Sequence, residues 1–237
     1  MRGLRMDVTL KVKKIFIILA IVILVLLTLS VVGHLYKFTI GYERYLVNLF
    51  DLDREWNVPT LFAAMNLFFC SVLLYIIALS KKKKRNQFYH YWITLSIIFF
   101  YLFMDEVIQF HEQSIGPLRN MLHTSGIFFF AWIIPAALFL LMFCVIYLKF
   151  LISLPSKIRL LFVISGSLYL SGAIGGEIIG GLYQTNHGLT NLTYALITDV
   201  EEFLEMVGIL VFIYALLSYI SLDFNYLKIQ VLNNNHR

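Results

Sequence analysis

Charge is scarce in this chain. Asp, Glu, Lys and Arg make up 14% of its 237 residues, against about 25% in an ordinary soluble domain. Cysteine is scarcer still. Cys70 and Cys144 both fall in apolar runs and form no C-x-x-C pair, which excludes a disulfide framework and a zinc knuckle. The short signatures of soluble enzymes are absent as well. There is no phosphate-binding G-x-x-x-x-G-K, no G-x-G-x-x-G and no G-x-S-x-G, and Ser165-Gly-Ser sits in mid-run without a nearby base. His111-Glu112-Gln-Ser-Ile opens like a zinc-protease helix but lacks the second histidine. No Glu-x-x-His pair of the helix-bundle metal proteins occurs.

What the chain has is apolar length. Hydrophobic residues make up 60% of it and the mean hydropathy is +0.81, the signature of an integral membrane protein. Six runs of membrane-crossing length are predicted, at about 15–33, 61–79, 88–110, 127–150, 160–182 and 193–220. Backbone groups in lipid must be satisfied within each segment, and the runs do not alternate as barrel strands would. The expected fold is therefore all-α: a polytopic protein, residues 1–237 forming one six-helix transmembrane bundle. The first run follows a basic segment, as a signal peptide would. Its length and the lack of a small-x-small cleavage site read as a retained anchor.

Charge asymmetry orients the bundle. Of 19 Lys and Arg, 15 lie at the N-terminus, in Lys81–Arg85, between spans four and five, or in the tail. Of 14 acids, 12 lie on the opposite side, all but Asp7 and Asp223. The positive-inside rule then predicts a cell (inner) membrane protein with both termini cytoplasmic. The basic excess follows this topology. Nucleic acid is not an expected partner; membrane lipids are, together with a second copy of the chain or the subunits of a membrane complex.

On the outer side the one long connection is 34–60. Tyr42, Tyr45, Leu46, Leu49 and Phe50 recur at helical spacing, as in an amphipathic interfacial helix. Asp51 to Asn57 reads as a solvated turn before Pro59 and Thr60 start span two. His34 and His90, at helix edges, read as interfacial. Span four carries Trp132 and Pro135, and span five has Gly172, Gly176 and Gly180 at four-residue intervals, a stripe for close helix packing.

Three spans meet carboxylates at one depth. Span three reaches Asp105 and Glu106, then His111 and Glu112; span five reaches Glu177; span six carries Asp199, Glu201, Glu202 and Glu205. Ionisable groups at that depth are costly unless hydrated, paired or cation-bound, so the layer is the candidate site. On a continuous helix Asp105, Gln109 and Glu112 share one face. The expected divalent metal cation has Asp105, Glu112, Glu177, Glu202 and Glu205 as ligands, since carboxylate oxygens suit hard cations. Glu106 and His111 are the candidate catalytic acid and base. The leading function is a cation-dependent enzyme on a lipid or isoprenoid. The alternatives are a proton- or cation-coupled transporter or channel, with Thr94, Ser165, Ser167 and Ser171 as stepping stones, and an accessory or assembly subunit.

Four strings carry a resemblance: L-D-R-E-W-N-V-P-T before span two, M-D-E-V-I-Q-F-H-E at 104–112, G-A-I-G-G-E-I-I-G-G at 172–181 and E-E-F-L-E-M-V-G-I at 201–209. In that order, over roughly residues 44–222, the chain resembles a family of uncharacterised bacterial multi-pass membrane proteins. The resemblance implies an intact module and transfers no catalytic residue, because the family has no established activity.

Overall fold

The computed structural model describes residues 6–8, 12–41, 45–224 and 227–229. The chain is helical almost throughout. Helix α1 (Val12–Ile40) is followed by the short α2 (Tyr45–Phe50), then α3 (Val58–Lys83) and α4 (Tyr89–Ile108). Next come α5 (Phe110–Leu122), a 3₁₀ turn at Gly126–Phe128 and α6 (Ile133–Ser153). Helix α7 (Ser156–Leu170) runs through a π-helical turn (Ser171–Gly176) into α8 (Glu177–His187), and α9 (Leu192–Phe224) closes the series. A three-residue antiparallel ladder pairs Met6–Val8 (β1) with Leu227–Ile229 (β2).

Six helices are long and apolar enough to cross a membrane, α7 and α8 counting as one. The six expected spans are all there. The outer connection is shorter than 34–60, because α1 continues to Ile40 and takes His34 into the first span. The amphipathic helix reduces to Tyr45–Phe50, and Tyr42 lies outside the described residues. Span three ends at Ile108, where Gln109 adopts a left-handed conformation (φ 63°) and the chain turns into α5. The face expected to join Asp105, Gln109 and Glu112 is broken there.

Helix α9 is the axis of the bundle. It packs against α1, α3, α7 and the π turn. In its most apolar stretch 61% of the residues are buried by protein, against 11% for the peripheral α6. The main core lies toward the Lys81–Arg85 end, the basic end, where Leu74, Ile77, Ile213 and Leu216 surround an aromatic cluster. Trp92 stacks on Tyr219 at 4.9 Å and meets Phe150 edge-on at 5.0 Å, geometries that add to area burial. The exposed leucines, isoleucines and phenylalanines of α1 and α6 form the surface that a membrane helix turns to lipid.

At the other, acidic end the packing is governed by glycine. A Cβ on Gly172 would stand 2.6 Å from the Glu201 carbonyl oxygen and 2.7 Å from Glu205 Cγ. One on Gly176 would meet Glu201 Cβ at 2.6 Å, and one on Gly208 the Tyr169 backbone nitrogen at 2.7 Å. The stripe is therefore a set of recesses filled by the side chains and backbone of α9. Alanine at Gly172, Gly176 or Gly208 should force the helices apart, at about 1–3 kcal/mol or more, and lower the thermal unfolding midpoint in detergent. Gly166→Ala and Gly175→Ala, whose added methyls meet nothing within 4 Å, should stay within about 0.5 kcal/mol of the parent. Equal effects at all five positions would contradict this packing.

Candidate functional site

The acids of the layer do not converge on one point. Helix α9 is enclosed on several sides, so successive carboxylates along it face different neighbours, and the structure sorts them into separate groups.

The first group is built on the break at Gln109. Its backbone N–H closes α4 on the Asp105 carbonyl at 2.6 Å, and its own carbonyl accepts from Gln113 to start α5. Residues six apart would point away from each other on a straight helix. The left-handed residue folds His111 back instead. The His111 backbone N–H donates to Asp105 Oδ1 at 3.0 Å, and ring Nδ1 lies 2.7 Å from Oδ2. The imidazole packs against Trp132 at 5.0 Å between ring centres, and the Trp132 indole N–H donates to Glu177 Oε1 at 3.2 Å. The chain Asp105–His111–Trp132–Glu177 thus joins spans three and five through the residue that precedes α6. Glu177 Oε2 is buried without a hydrogen-bond partner among the described residues.

The second group surrounds a cavity of about 20 Å³, room for a water molecule and no more. Its wall is Glu106 of α4, Glu202 and Glu205 of α9, Tyr169 of α7 and Asn66 of α3, with Ala63, Leu67, Met206 and Ile209 completing it. No Lys, Arg or His lines it. Asn66 donates to the Phe62 carbonyl at 2.8 Å, and its amide oxygen takes no part in that bond.

The third pairing is outside the spans. Glu112 is exposed in the first turn of α5, apart from the cavity. There it benefits from the helix dipole. Its charge acts on Glu55, whose Oε2 is buried with no hydrogen-bond partner among the described residues. Burial first, and then the Glu112 carboxylate, push the Glu55 carboxyl above its usual range.

Sequence reasoning put Asp105, Glu112, Glu177, Glu202 and Glu205 around one metal, with Glu106 and His111 as acid and base. The structure brings Glu202 and Glu205 together with Glu106, and Asp105 together with His111 and, through Trp132, Glu177. Glu112 lines no part of the cavity and acts on the Asp105–His111 pair through its charge alone. Among the described residues no three His, Cys, Asp or Glu side chains stand close enough to hold one metal ion, so five-ligand metal binding is not supported.

A further cluster was not anticipated. His34 is not interfacial: it is 3% exposed, with Nδ1 3.0 Å from Asp199 Oδ2 and Nε2 3.0 Å from Asp51 Oδ1. The Ser30 hydroxyl donates to Asp199 Oδ1 at 2.6 Å and accepts from the Leu52 N–H at 3.0 Å. Asn57 donates to the Asp51 carbonyl at 2.6 Å and caps α3 by accepting from the Thr60 N–H at 3.1 Å. The turn expected to be solvated is in part tied into the bundle, with Asp51 and Leu52 buried. Histidine and serine one turn apart inside an apolar run were the signal available for it. His90, His123 and His187 are exposed.

A family described as a domain of unknown function (DUF8692) matches residues 16–220. The chain belongs to that family. No curated protein and no solved structure matches it.

The Asp105–His111 pair generates a pH dependence. Burial alone would lower the imidazole pKa, but the Asp105 hydrogen bond and charge, with Glu112 and Glu177 adding, raise it from 6.5 to about 9. A raised histidine pKa stabilises the fold fully below its unfolded value and loses that contribution as pH rises through the folded one. The unfolding midpoint should therefore decline between pH 6.5 and about 9. Asp105→Asn and His111→Gln should flatten that decline. A decline of equal size in both variants would show that other groups cause it.

Proposed function

We propose that this is a cation-binding protein of the cell membrane whose site is the Glu106–Glu202–Glu205 cavity, and whose ligand is a proton or one small monovalent cation. A single observation carries the reading: three glutamates line one water-sized cavity whose wall holds no basic side chain. Three like charges in so small a space require protons on the carboxyls or a neighbouring cation; because no three acidic side chains among the described residues stand close enough to hold one metal ion, a cation would rest on at most two of them. Asn66 and Tyr169 supply the further oxygens that a hard cation or a bound water needs.

The acidic end would face outward. Lys81–Arg85 at the end of α3 belongs on the cytoplasmic side by the positive-inside rule. The β1–β2 ladder pairs residues 6–8 with 227–229, as segments on one side of the membrane permit. Transport through the bundle has less support. The cavity floor is Leu67, Met206 and Ile209, and the main core lies beyond it. The hydroxyls of Thr94 and Ser171 bond to carbonyls one turn back in their own helices, so neither extends a polar path.

The second reading, an enzyme acting on a lipid or isoprenoid, rests on the other group. An imidazole oriented by a carboxylate, 28% exposed and protonated near neutral pH, is the arrangement of a general acid. In that case His111 donates a proton and Asp105 positions it.

Infrared titration of the purified full chain in nanodiscs tests the first reading. It should show a protonated-carboxyl stretch near neutral pH, or its displacement by sodium or potassium, and Glu202→Gln or Glu205→Gln should remove that signal. A monovalent cation at 100 times its Kd should also add about 2.7 kcal/mol of stability. Carboxyls fully ionised at neutral pH, with no response to either cation, would overturn the proposal. Stabilisation by a divalent ion alone would return the metal-dependent enzyme to first place.

A further inference from the structure

The polar cluster around His34 is bonded separately from the Asp105–His111 pair and adjoins the cavity wall where Leu52 packs with Met206, and it holds the turn before α3. Residues 51–57 form a turn between α2 and α3, seated on the acidic ends of α1 and α9. Within it Trp56 is 78% exposed and has a φ of 61°, a left-handed conformation that a bulky side chain adopts only under constraint. The constraint is visible. The Leu52 side chain is buried with Ile23, Leu26, Met206 and Leu210, its N–H is bonded to Ser30, and Asp51 is bonded to His34. Val47 of α2 lies over Gly33, where an added Cβ would be 3.2 Å from its Cγ1.

The hydrogen-bond inventory of His34 is what matters. Each ring nitrogen faces a carboxylate oxygen at 3.0 Å. Ionised carboxylates only accept, and a neutral imidazole has one N–H. Both contacts are satisfied while the group carries one proton more than a neutral ring between two carboxylates. Without that proton one nitrogen lone pair faces a carboxylate, and His34, Asp51 and Asp199 are 3%, 7% and 1% exposed, so water cannot relieve it. The charged groups on the elements around the ring at this end are Asp51, Asp53, Arg54 and Glu55 of the turn, Lys37 of α1, and Asp199, Glu201, Glu202 and Glu205 of α9. Glu112 of α5 lies beyond Asp53. Asp51 and Asp199 are the two that touch the ring. Asp199 is fixed within a long helix and by Ser30. Asp51 is held by a short turn rather than by a long helix, so of the two partners it is the one whose release displaces the fewer residues.

We infer that His34 is a proton-operated clasp, which holds the 51–57 turn on α1 and α9 while the Asp51–His34–Asp199 cluster keeps its extra proton and releases the turn when that proton leaves. Release frees the Asp51 end, carries Glu55 away from Glu112 and opens the acidic end to water. The clasp does not depend on what the Glu106–Glu202–Glu205 cavity binds; a failure of either idea leaves the other standing.

The test reads the turn directly. In a full-length Cys144→Ser background, Leu52→Cys places a thiol at a position that is 5% exposed, and Tyr45→Cys provides a control at one that is 78% exposed. Maleimide labelling rates are taken as the ratio of the two, which cancels the pH dependence of thiol chemistry. The ratio should be low near pH 5 and rise about tenfold or more by about pH 9. With His34→Gln it should be high throughout. With Asp51→Asn it should stay low and flat, because an amide can accept from a protonated nitrogen or donate to a bare one. If Leu52→Cys does not fold, exchange of the Leu52 amide in the unaltered chain, corrected for its intrinsic pH dependence, reads the same opening. A ratio independent of pH in the parent, or a rise that survives Asp51→Asn, would overturn the clasp.

Discussion

Everything at the acidic end follows from one constraint: the most enclosed helix of the bundle also carries the densest run of carboxylates. Helix α9 is buried by neighbours over most of its apolar length, and Asp199, Glu201, Glu202 and Glu205 fall within about two turns near its start. A carboxylate in such a place has few ways to lower its cost. The chain uses several at once. Asp199 takes a histidine and a serine, Glu201 and the stem of Glu205 lie in glycine recesses, and Glu202 and the Glu205 carboxyl share a small cavity with Glu106.

The neighbours are shaped to match. Span five reaches α9 through a π-helical turn, a form that occurs mostly as single turns within helices and often near functional sites. Its extra residue per turn alters the phase of the helix just before Glu177. The same segment contributes Gly172 and Gly176, so two adjustments for α9 fall in one turn. Span three adjusts differently. It ends at a left-handed glutamine, a conformation that costs energy outside glycine, and so gains an oriented imidazole. Both distortions lie at the acidic end, whereas the basic end is filled by apolar and aromatic packing.

Apolar run length in the sequence was enough to place the six spans, because membrane thickness is a one-dimensional constraint that a chain displays directly. The acids were legible for the same reason: they end apolar runs. The partner of each acid was not legible. Helical-wheel reasoning assumes a continuous helix, and the break at Gln109 has no proline or glycine to announce it. The glycine stripe was read as a packing face, which it is, but spacing alone did not show that it accommodates glutamates. His34 was the largest error. A histidine near the end of an apolar run reads as interfacial unless its partners are known, and both partners are far away in sequence, in the turn after α2 and in the last helix.

The division of the layer bears on mechanism. A single five-carboxylate metal site would have to gather ligands from α4, α5, α8 and α9. The break at Gln109 instead draws Asp105 and His111 together on one side, while Glu106, one residue from Asp105, lines the cavity on another. Adjacent residues on a helix diverge by roughly 100°, so Asp105 and Glu106 cannot serve the same centre from one backbone position. The D-E pair is better understood as a fork. One arm sets the imidazole that Trp132 links to Glu177; the other completes the Glu202–Glu205 cavity. A proton or cation captured in the cavity and a proton held on His111 would then sense each other through the adjacent Asp105 and Glu106, close enough for charge to couple them in a medium of low dielectric constant.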